Sequence, residues 1–308
     1  MERGHSLGQP APRLTMRRGW SRTKHASLRY AECGAGPNVV LLHGGLGDYR
    51  SWLPHLALLG RCARVIAYSR RYSHGSRCDL DITLHSLQAD ADDLQSLLGA
   101  LSALPVHLVG TSYGALVALQ YALRSSEHVR SITLAEPPLH EWPSSDSRCA
   151  DLRARFRSEV LAAANAAFHA RDVERALALL VDGFAGTPEF EAWPARRRRR
   201  ARDNAVAMQA ILQGVNTLSG LSESQAHGLR VPCLVLHGAD TTAIHRIACE
   251  RLLEVVPGAR RCVLARVGHS GPTDRPEQFV EAIVPFIAAD TPHRPVPADR
   301  SSPRPPRA

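Results

Sequence analysis

Gly110-Thr111-Ser112-Tyr113-Gly114 sets one serine between two glycines, and what flanks it decides the fold. Upstream, Pro105-Val106-His107-Leu108-Val109 reads as a buried strand; downstream, residues 115–123 read as a helix. A Gly-x-Ser-x-Gly turn between the two holds the serine in a strained backbone conformation. Its small neighbours avoid clashes, and the hydroxyl stands exposed above the sheet. The pattern alone recurs in Gly/Ser-rich loops, so the strand and helix around it carry the weight.

Outward from this turn, strand candidates at 28–32, 38–42, 64–68, 106–109, 131–134, 233–236 and 261–264 alternate with helical stretches. Residues 83–103 form one such stretch, with Leu84, Leu87, Ala91, Leu94, Leu98 and Leu101 at spacings of three and four. Alternation of this kind predicts an α/β fold, a mostly parallel central sheet with helices on both faces. Reactive groups then collect at the carboxyl ends of the strands.

A serine is nucleophilic at neutral pH only beside a base, which is near in space and free to be distant in sequence. Among 15 histidines, His269 fits by position: Ala265-Arg266-Val267-Gly268-His269-Ser270 follows the apolar Cys262-Val263-Leu264, placing it on a loop after a late strand. Acyl transfer also needs backbone N–H groups for the developing oxyanion. Leu41-Leu42-His43-Gly44-Gly45-Leu46-Gly47 follows a strand and offers the N–H of Gly45, with that of Tyr113 as the second donor. The plain alternatives are a tight strand-to-helix turn or a phosphate loop. Neither Gly-x-Gly-x-x-Gly nor the Walker pattern is complete there.

In this order of motifs, from about residue 28 to 288, the chain resembles the α/β-hydrolase superfamily. The marks are His43-Gly44-Gly45, the nucleophile elbow at Ser112, a late-strand loop at Gly238, and Gly268-His269. Trp52, Val65-Ile66-Ala67-Tyr68-Ser69-Arg70-Arg71 and the strand from Val231 to Gly238 agree with it. The resemblance implies a Ser-His-acid triad of Ser112, His269 and a carboxylate. Here the chain departs from the family pattern. Most members place an aspartate three residues beyond the glycine ending the late strand, where this chain has Thr241, with Asp240 one residue early. Some members take the acid from the end of the strand after the nucleophile helix, where Ser131-Ile132-Thr133-Leu134-Ala135-Glu136-Pro137-Pro138 supplies Glu136. Glu136 and Asp240 are therefore alternatives. Glu136 leads because its use is expected to need no local distortion of the chain. The plain readings are a structural cap for Glu136 and the start of a helix for Asp240.

Residues 139–230 break the strand-helix rhythm with helical segments at 149–171, 173–184 and 197–212, resembling the helical cap that roofs the site in many relatives. A cap excludes water and shapes the pocket. Trp142, Phe156, Phe168, Phe184, Phe190, Trp193, Met208 and Leu212 are candidates to line it, with plain cap packing as the bland reading. The expected organisation is thus a core at 26–138 and 231–289, the cap at 139–230, and disordered ends at 1–25 (basic) and 290–308 (Pro/Arg-rich).

Composition sets the outer limits. With 44% hydrophobic residues in 308, the chain can bury one large core. No apolar run approaches the roughly 20 residues that span a bilayer, and residues 1–20 carry no apolar signal core, so no membrane association is expected. Seven cysteines without a Cys-x-x-Cys pair point to a reducing cytoplasm, not to a disulfide scaffold or zinc. The formal charge of +9 invites a nucleic-acid reading. Lys24 is the only lysine, however, a skew that GC-rich coding also produces. The run Arg196–Arg200 on a helix points in all directions, so no nucleic-acid partner is expected. The expectation is a serine hydrolase acting through an acyl-enzyme on a small acyl substrate with an apolar part, needing neither metal nor organic cofactor. Oligomeric state is not readable. Ser112 in place of an aspartate argues against epoxide hydrolase and haloalkane dehalogenase chemistry. Carbon–carbon bond hydrolysis, cofactor-free peroxidase activity and acyl transfer share the same triad. A ligand-binding protein that keeps the fold without turnover is the alternative from another class.

Overall fold

The computed structural model describes residues 14–142 and 147–289. Nine strands form one sheet: β1 (Arg17–Arg22), β2 (Ala26–Cys33), β3 (Asn38–Leu42), β4 (Arg64–Tyr68), β5 (Arg77–Cys78), β6 (Val106–Thr111), β7 (Val129–Ala135), β8 (Cys233–Gly238) and β9 (Arg260–Leu264). Their order is β1-β2-β4-β3-β6-β7-β8-β9, with β5 on β2. Every pair from β4 through β9 along this path is parallel, and the β2 pairings are antiparallel.

The helices are α1 (Leu53–Leu59), α2 (Leu87–Ala100), α3 (Tyr113–Arg124), α4 (Ser147–Arg155), α5 (Ala163–His169), α6 (Val173–Ala185), α7 (Ala195–Asp203), α8 (Ala205–Gln213), α9 (Glu223–His227), α10 (Ala243–Val255), α11 (Gly271–Asp274) and α12 (Pro276–Ala289). A parallel strand needs a crossover long enough for a helix, and that helix must cover a sheet face. β3 shows both consequences. Val40 and Leu42 pack with α2 and α3 on one face, while Val39 and Leu41 pack with Leu56 of α1 and Phe279 and Ile283 of α12 on the other. All four are fully buried, so the strand reads as a continuous apolar run.

The chain between β7 and β8 holds α4 to α9 and no strand among the described residues. Two expected helices are interrupted. In 83–103, α2 begins only at Leu87, because Ser86 Oγ accepts the Ala89 N–H (3.1 Å) as an N-cap. In 197–212, the chain breaks between α7 and α8 at Asn204. Its side chain turns inward, donating to Asp48 Oδ2 (2.7 Å) and accepting from the His74 N–H (2.9 Å).

The expected disorder over 1–25 is corrected for Arg17–Arg22, which pair antiparallel with β2 from Arg17–Glu32 to Arg22–Ser27. No apolar alternation announces β1 because cations hold it. Trp20 receives the guanidinium groups of Arg29 (5.0 Å) and Arg77 (5.7 Å), and Arg17 pairs with Glu32 (3.2 Å). Residues 1–13 and the tail 290–308 lie outside the described residues. No described helix is long and apolar enough to cross a membrane.

Candidate active site

Ser112 sits between β6 and α3 with φ 49° and ψ −125°, a conformation that L side chains rarely adopt. Its neighbours make the turn fit. A Cβ on Gly110 would lie 2.6 Å from Ala115 Cα, and one on Gly114 would run into the Leu42 and His43 carbonyls. The Ser112 N–H is tied to the Ala135 carbonyl at 2.7 Å, which fixes the turn to the end of β7. Tyr113 opens α3, so its N–H has no partner within the helix.

The loop after β3 runs directly against the serine: a Cβ on Gly44 would stand 3.3 Å from Ser112 Cβ and 3.8 Å from its Oγ. Three donors hold the Gly44 carbonyl, namely Gly47 N–H (3.1 Å), His43 Nδ1 (2.8 Å) and an Arg70 amine (3.2 Å). Arg70 N–H donates to His43 Nε2 (3.1 Å), so His43 carries its proton on Nδ1. Burial, reinforced by Arg70, pushes His43 down to about 3 and keeps it neutral. Arg70 is itself buried, pairs with Asp90 (3.2 Å) and lies 4.6 Å above the Tyr113 ring. The sequence alone gives Arg70 no role beyond its place in the motif after β4. A signal was present: Asp90 and Asp93 fall among the apolar positions of α2, opposite Arg70 and Arg71 after β4, as buried pairs do.

His269 follows β9, and its Nδ1 donates to Glu136 Oε2 at 2.6 Å. The same oxygen accepts from Thr241 Oγ1 (2.8 Å), while Oε1 accepts from the Gly238 N–H (2.8 Å). Burial pushes the Glu136 carboxyl up, but the hydrogen bond and charge of His269, with the Gly238 and Thr241 donors, outweigh it and hold the group below its ordinary value. Of the two acid candidates, Glu136 is joined to His269. Asp240 is exposed at the mouth, and its side chain makes no hydrogen bond or ion pair among the described residues. The expectation that Glu136 needs no local distortion is corrected: its φ is 48°, in the left-handed region. The turn points the carboxylate back across the end of β8.

His245 stacks on His269 with ring centroids 4.1 Å apart and planes 13° from parallel, and His140 Nε2 meets His245 Nδ1 at 3.1 Å. Sequence reasoning missed both histidines, since nothing in their spacing marks them. Possible ligand atoms of Glu136, His245 and His269 lie within 4.8 Å of one another. The two stacked imidazoles hold their lone pairs in nearly parallel planes, and Glu136 Oε2 is already engaged. No nearby point lies in the plane of both rings, so the two imidazoles do not converge on one ion as metal ligands do.

Ser112, Gly45 and His269 share a cavity of about 460 Å³ with Phe184, Trp193 and Arg200 of the cap. No hydrogen bond joins Ser112 Oγ to His269 among the described residues. Of the expected aromatic lining, Phe184 and Trp193 reach the cavity. Trp142, Phe156, Phe168 and Phe190 are buried in packing, and Met208 Sδ lies against Gly45. Cys233 is a buried thiol that burial pushes up to about 12.

The alpha/beta hydrolase fold model matches residues 37–276. The chain belongs to this family. As a hydrolase of the alpha/beta fold, it is 28% identical over 154 residues to the uncharacterized hydrolase YraK of Bacillus subtilis, spanning 48% of this chain and 57% of that one. It is also 25% identical over 272 residues to RutD of Azorhizobium caulinodans, whose name assigns it carbamate hydrolysis, spanning 85% and 95% of the two chains. Among solved structures, the enol-lactonase from Burkholderia xenovorans LB400 shares the fold at TM-score 0.71 and 17% identity, covering 88% of this hydrolase and all of that chain.

Proposed function

We propose that this hydrolase cleaves an ester or related acyl substrate through an acyl-enzyme on Ser112, with His269 as base and Glu136 as the acid that orients it. The observation that carries the reading is the 2.6 Å hydrogen bond from His269 Nδ1 to a buried carboxylate beside the strained serine turn. That bond holds the imidazole proton on Nδ1 and leaves Nε2 as the basic nitrogen. As substrate fills the cavity, Nε2 closes on Ser112 Oγ, a contact that tightens in the substrate complex. Oγ gives its proton to Nε2 and attacks the carbonyl carbon, and the oxyanion takes the N–H groups of Gly45 and Tyr113. The imidazolium, stabilised by Glu136, returns the proton to the leaving oxygen or nitrogen as that bond breaks. Water, deprotonated by Nε2, then attacks the acyl-enzyme, and the imidazolium returns that proton to Oγ as the acyl–Oγ bond breaks, freeing the acid and Ser112. Carbamate cleavage, the chemistry in the RutD name, follows the same steps at a carbamoyl carbon.

Labelling wild type and Ser112→Ala with a fluorophosphonate, then mapping the adduct by mass, tests this reading. The expected result is one adduct, on Ser112, absent from the variant. A folded wild type that neither labels nor hydrolyses 4-nitrophenyl esters of graded length would leave a ligand-binding protein as the better account.

A further inference from the structure

The arginine run of α7 separates into distinct environments. Arg197 pairs with Asp274 (2.8 Å) and stacks 3.9 Å from the Trp193 ring. Arg198 pairs with Glu191 and Arg202 with Glu174, while Arg196 and Arg199 face solvent. Arg200 differs from all of these. It is half-buried, it lines the cavity with Ser112, and its guanidinium makes no hydrogen bond or ion pair among the described residues. Asp48, the acidic group that attracts it, is already engaged by Arg50 and by Asn204. Asn204 Nδ2 also donates to the Arg200 carbonyl at 2.8 Å, which fixes the backbone from which the side chain reaches. Of the cavity's carboxylates, Asp274 is held by Arg197, Glu189 accepts from Trp193 Nε1 (3.4 Å), and Asp240 stands exposed at the mouth.

A guanidinium half withdrawn from water and without a protein acceptor gains from an anion that supplies one. Its planar fork matches a carboxylate in two parallel hydrogen bonds. We infer that Arg200 recognises a carboxylate carried by the substrate away from the scissile bond, so that the preferred substrates are acyl esters or amides with an anionic end. The inference rests on the serine-hydrolase reading above. Burial and the neighbouring guanidinium groups of Arg50, Arg196 and Arg197 outweigh Asp48 and push the Arg200 pKa down, a penalty that a bound carboxylate relieves. Phe184 and Trp193 then face the apolar stretch between the reacting carbonyl and the charged end.

The test compares mono-4-nitrophenyl esters of glutaric, adipic and pimelic acids with 4-nitrophenyl esters of equal chain length ending in methyl. Wild type is expected to favour the best carboxylate ester by about 10- to 100-fold in kcat/KM, the range of a charge-assisted hydrogen bond. Arg200→Gln should bring that ratio close to one, Arg200→Lys should keep part of it, and Arg199→Gln on the exposed face should keep it whole. In parallel, calorimetry on Ser112→Ala, which cannot turn over, compares adipate with neutral adipamide. Tighter adipate binding that Arg200→Gln removes supports the inference even where no ester is cleaved and the serine reading fails. Neutral esters hydrolysed at Ser112 with no carboxylate preference, and adipate binding no tighter than adipamide, would overturn it and leave the serine reading intact. A carboxylate preference that survives Arg200→Gln also overturns it.

Discussion

Glu136→Gln removes one charge and almost no volume, and the hydrogen bonds around Glu136 say what must follow. In the native protein, Oε2 accepts from His269 Nδ1 (2.6 Å) and Thr241 Oγ1 (2.8 Å), and Oε1 from the Gly238 N–H (2.8 Å). A glutamine offers one acceptor and one donor group. If its oxygen stays on Gly238, its NH₂ faces Nδ1, which must then accept, and the proton moves to Nε2, where the base is needed. If the amide flips, the NH₂ opposes the Gly238 N–H, leaving a buried donor unmet at a cost of about 1–3 kcal/mol. In either state the imidazolium loses its counter-charge. The expected loss in chemistry-limited kcat/KM is about 10³- to 10⁴-fold, by analogy with the wrong-tautomer aspartate-to-asparagine variant of a serine protease, or about 4–5.5 kcal/mol of transition-state stabilisation. Asp240→Asn should stay within about twofold, as an exposed substitution does. The assay is hydrolysis of the best 4-nitrophenyl ester, with rates of fluorophosphonate labelling beside it and thermal melts to certify folding. A second arm restores a carboxylate from the adjacent loop: Thr241→Asp added to Glu136→Gln should recover at least about tenfold. Glu136→Gln with activity within fivefold of wild type, or an equal loss in Asp240→Asn, would refute the assignment.

Ser112→Gly should abolish turnover yet stabilise the fold by about 1 kcal/mol, because φ 49° with ψ −125° strains any residue with a Cβ; urea denaturation reads the difference, and a less stable variant would count against the strained turn. Stability should also fall on acidification. Burial, the leading cause in each case, pushes His43 and His140 down to about 3 and His55 and His107 down to about 4. The unfolded chain therefore binds the extra protons first: the stabilisation is complete above the free imidazole value of about 6.5 and is lost as pH drops toward 3–4. The slope is expected to reach about 1.4 kcal/mol per pH unit for each such histidine. In His107→Asn, which keeps a partner for Ser131, it should be shallower by one proton; an unchanged slope means that His107 does not contribute.

β3, β4, β6 and β8 were legible because each is an apolar run closed by glycine or a turn, and the parallel order follows from their alternation with helices. β1 was not, since it joins the sheet through its backbone ladder with β2 and the contacts of Trp20 with Arg29 and Arg77, without apolar periodicity. The same limit applies at the site. Ser112, His269 and the N–H donors proposed at Gly45 and Tyr113 announce themselves through local motifs, each within a few residues of a strand end. His140, His245 and Arg200 act across the fold, and only a contact between distant elements reveals them; Arg70 and Asp90 left one trace, a carboxylate among the apolar positions of α2. The breaks at Ser86 and Asn204 were hidden for a related reason, because polar side chains capped or crossed what apolar spacing had joined.

The placement of the acid follows from register. β7 and β8 are parallel neighbours with Ala135 opposite Leu236, so Glu136 and the Gly238 turn emerge side by side at the carboxyl edge. A carboxylate leaving either strand end comes within reach of the loop after β9. The position three residues beyond Gly238 is Thr241, and its hydroxyl donates to Glu136 Oε2. The two ends have thus exchanged tasks: β7 supplies the charge, and the β8 loop supplies two donors that hold it. The threonine hydroxyl completes the carboxylate's hydrogen bonding. The left-handed backbone at Glu136 is the local cost of turning the side chain toward β8. Like the strained serine, it is held by the surrounding sheet, whose neighbouring strand ends bind both turns: Ala135 O receives the Ser112 N–H, and Leu236 O receives the Glu136 N–H.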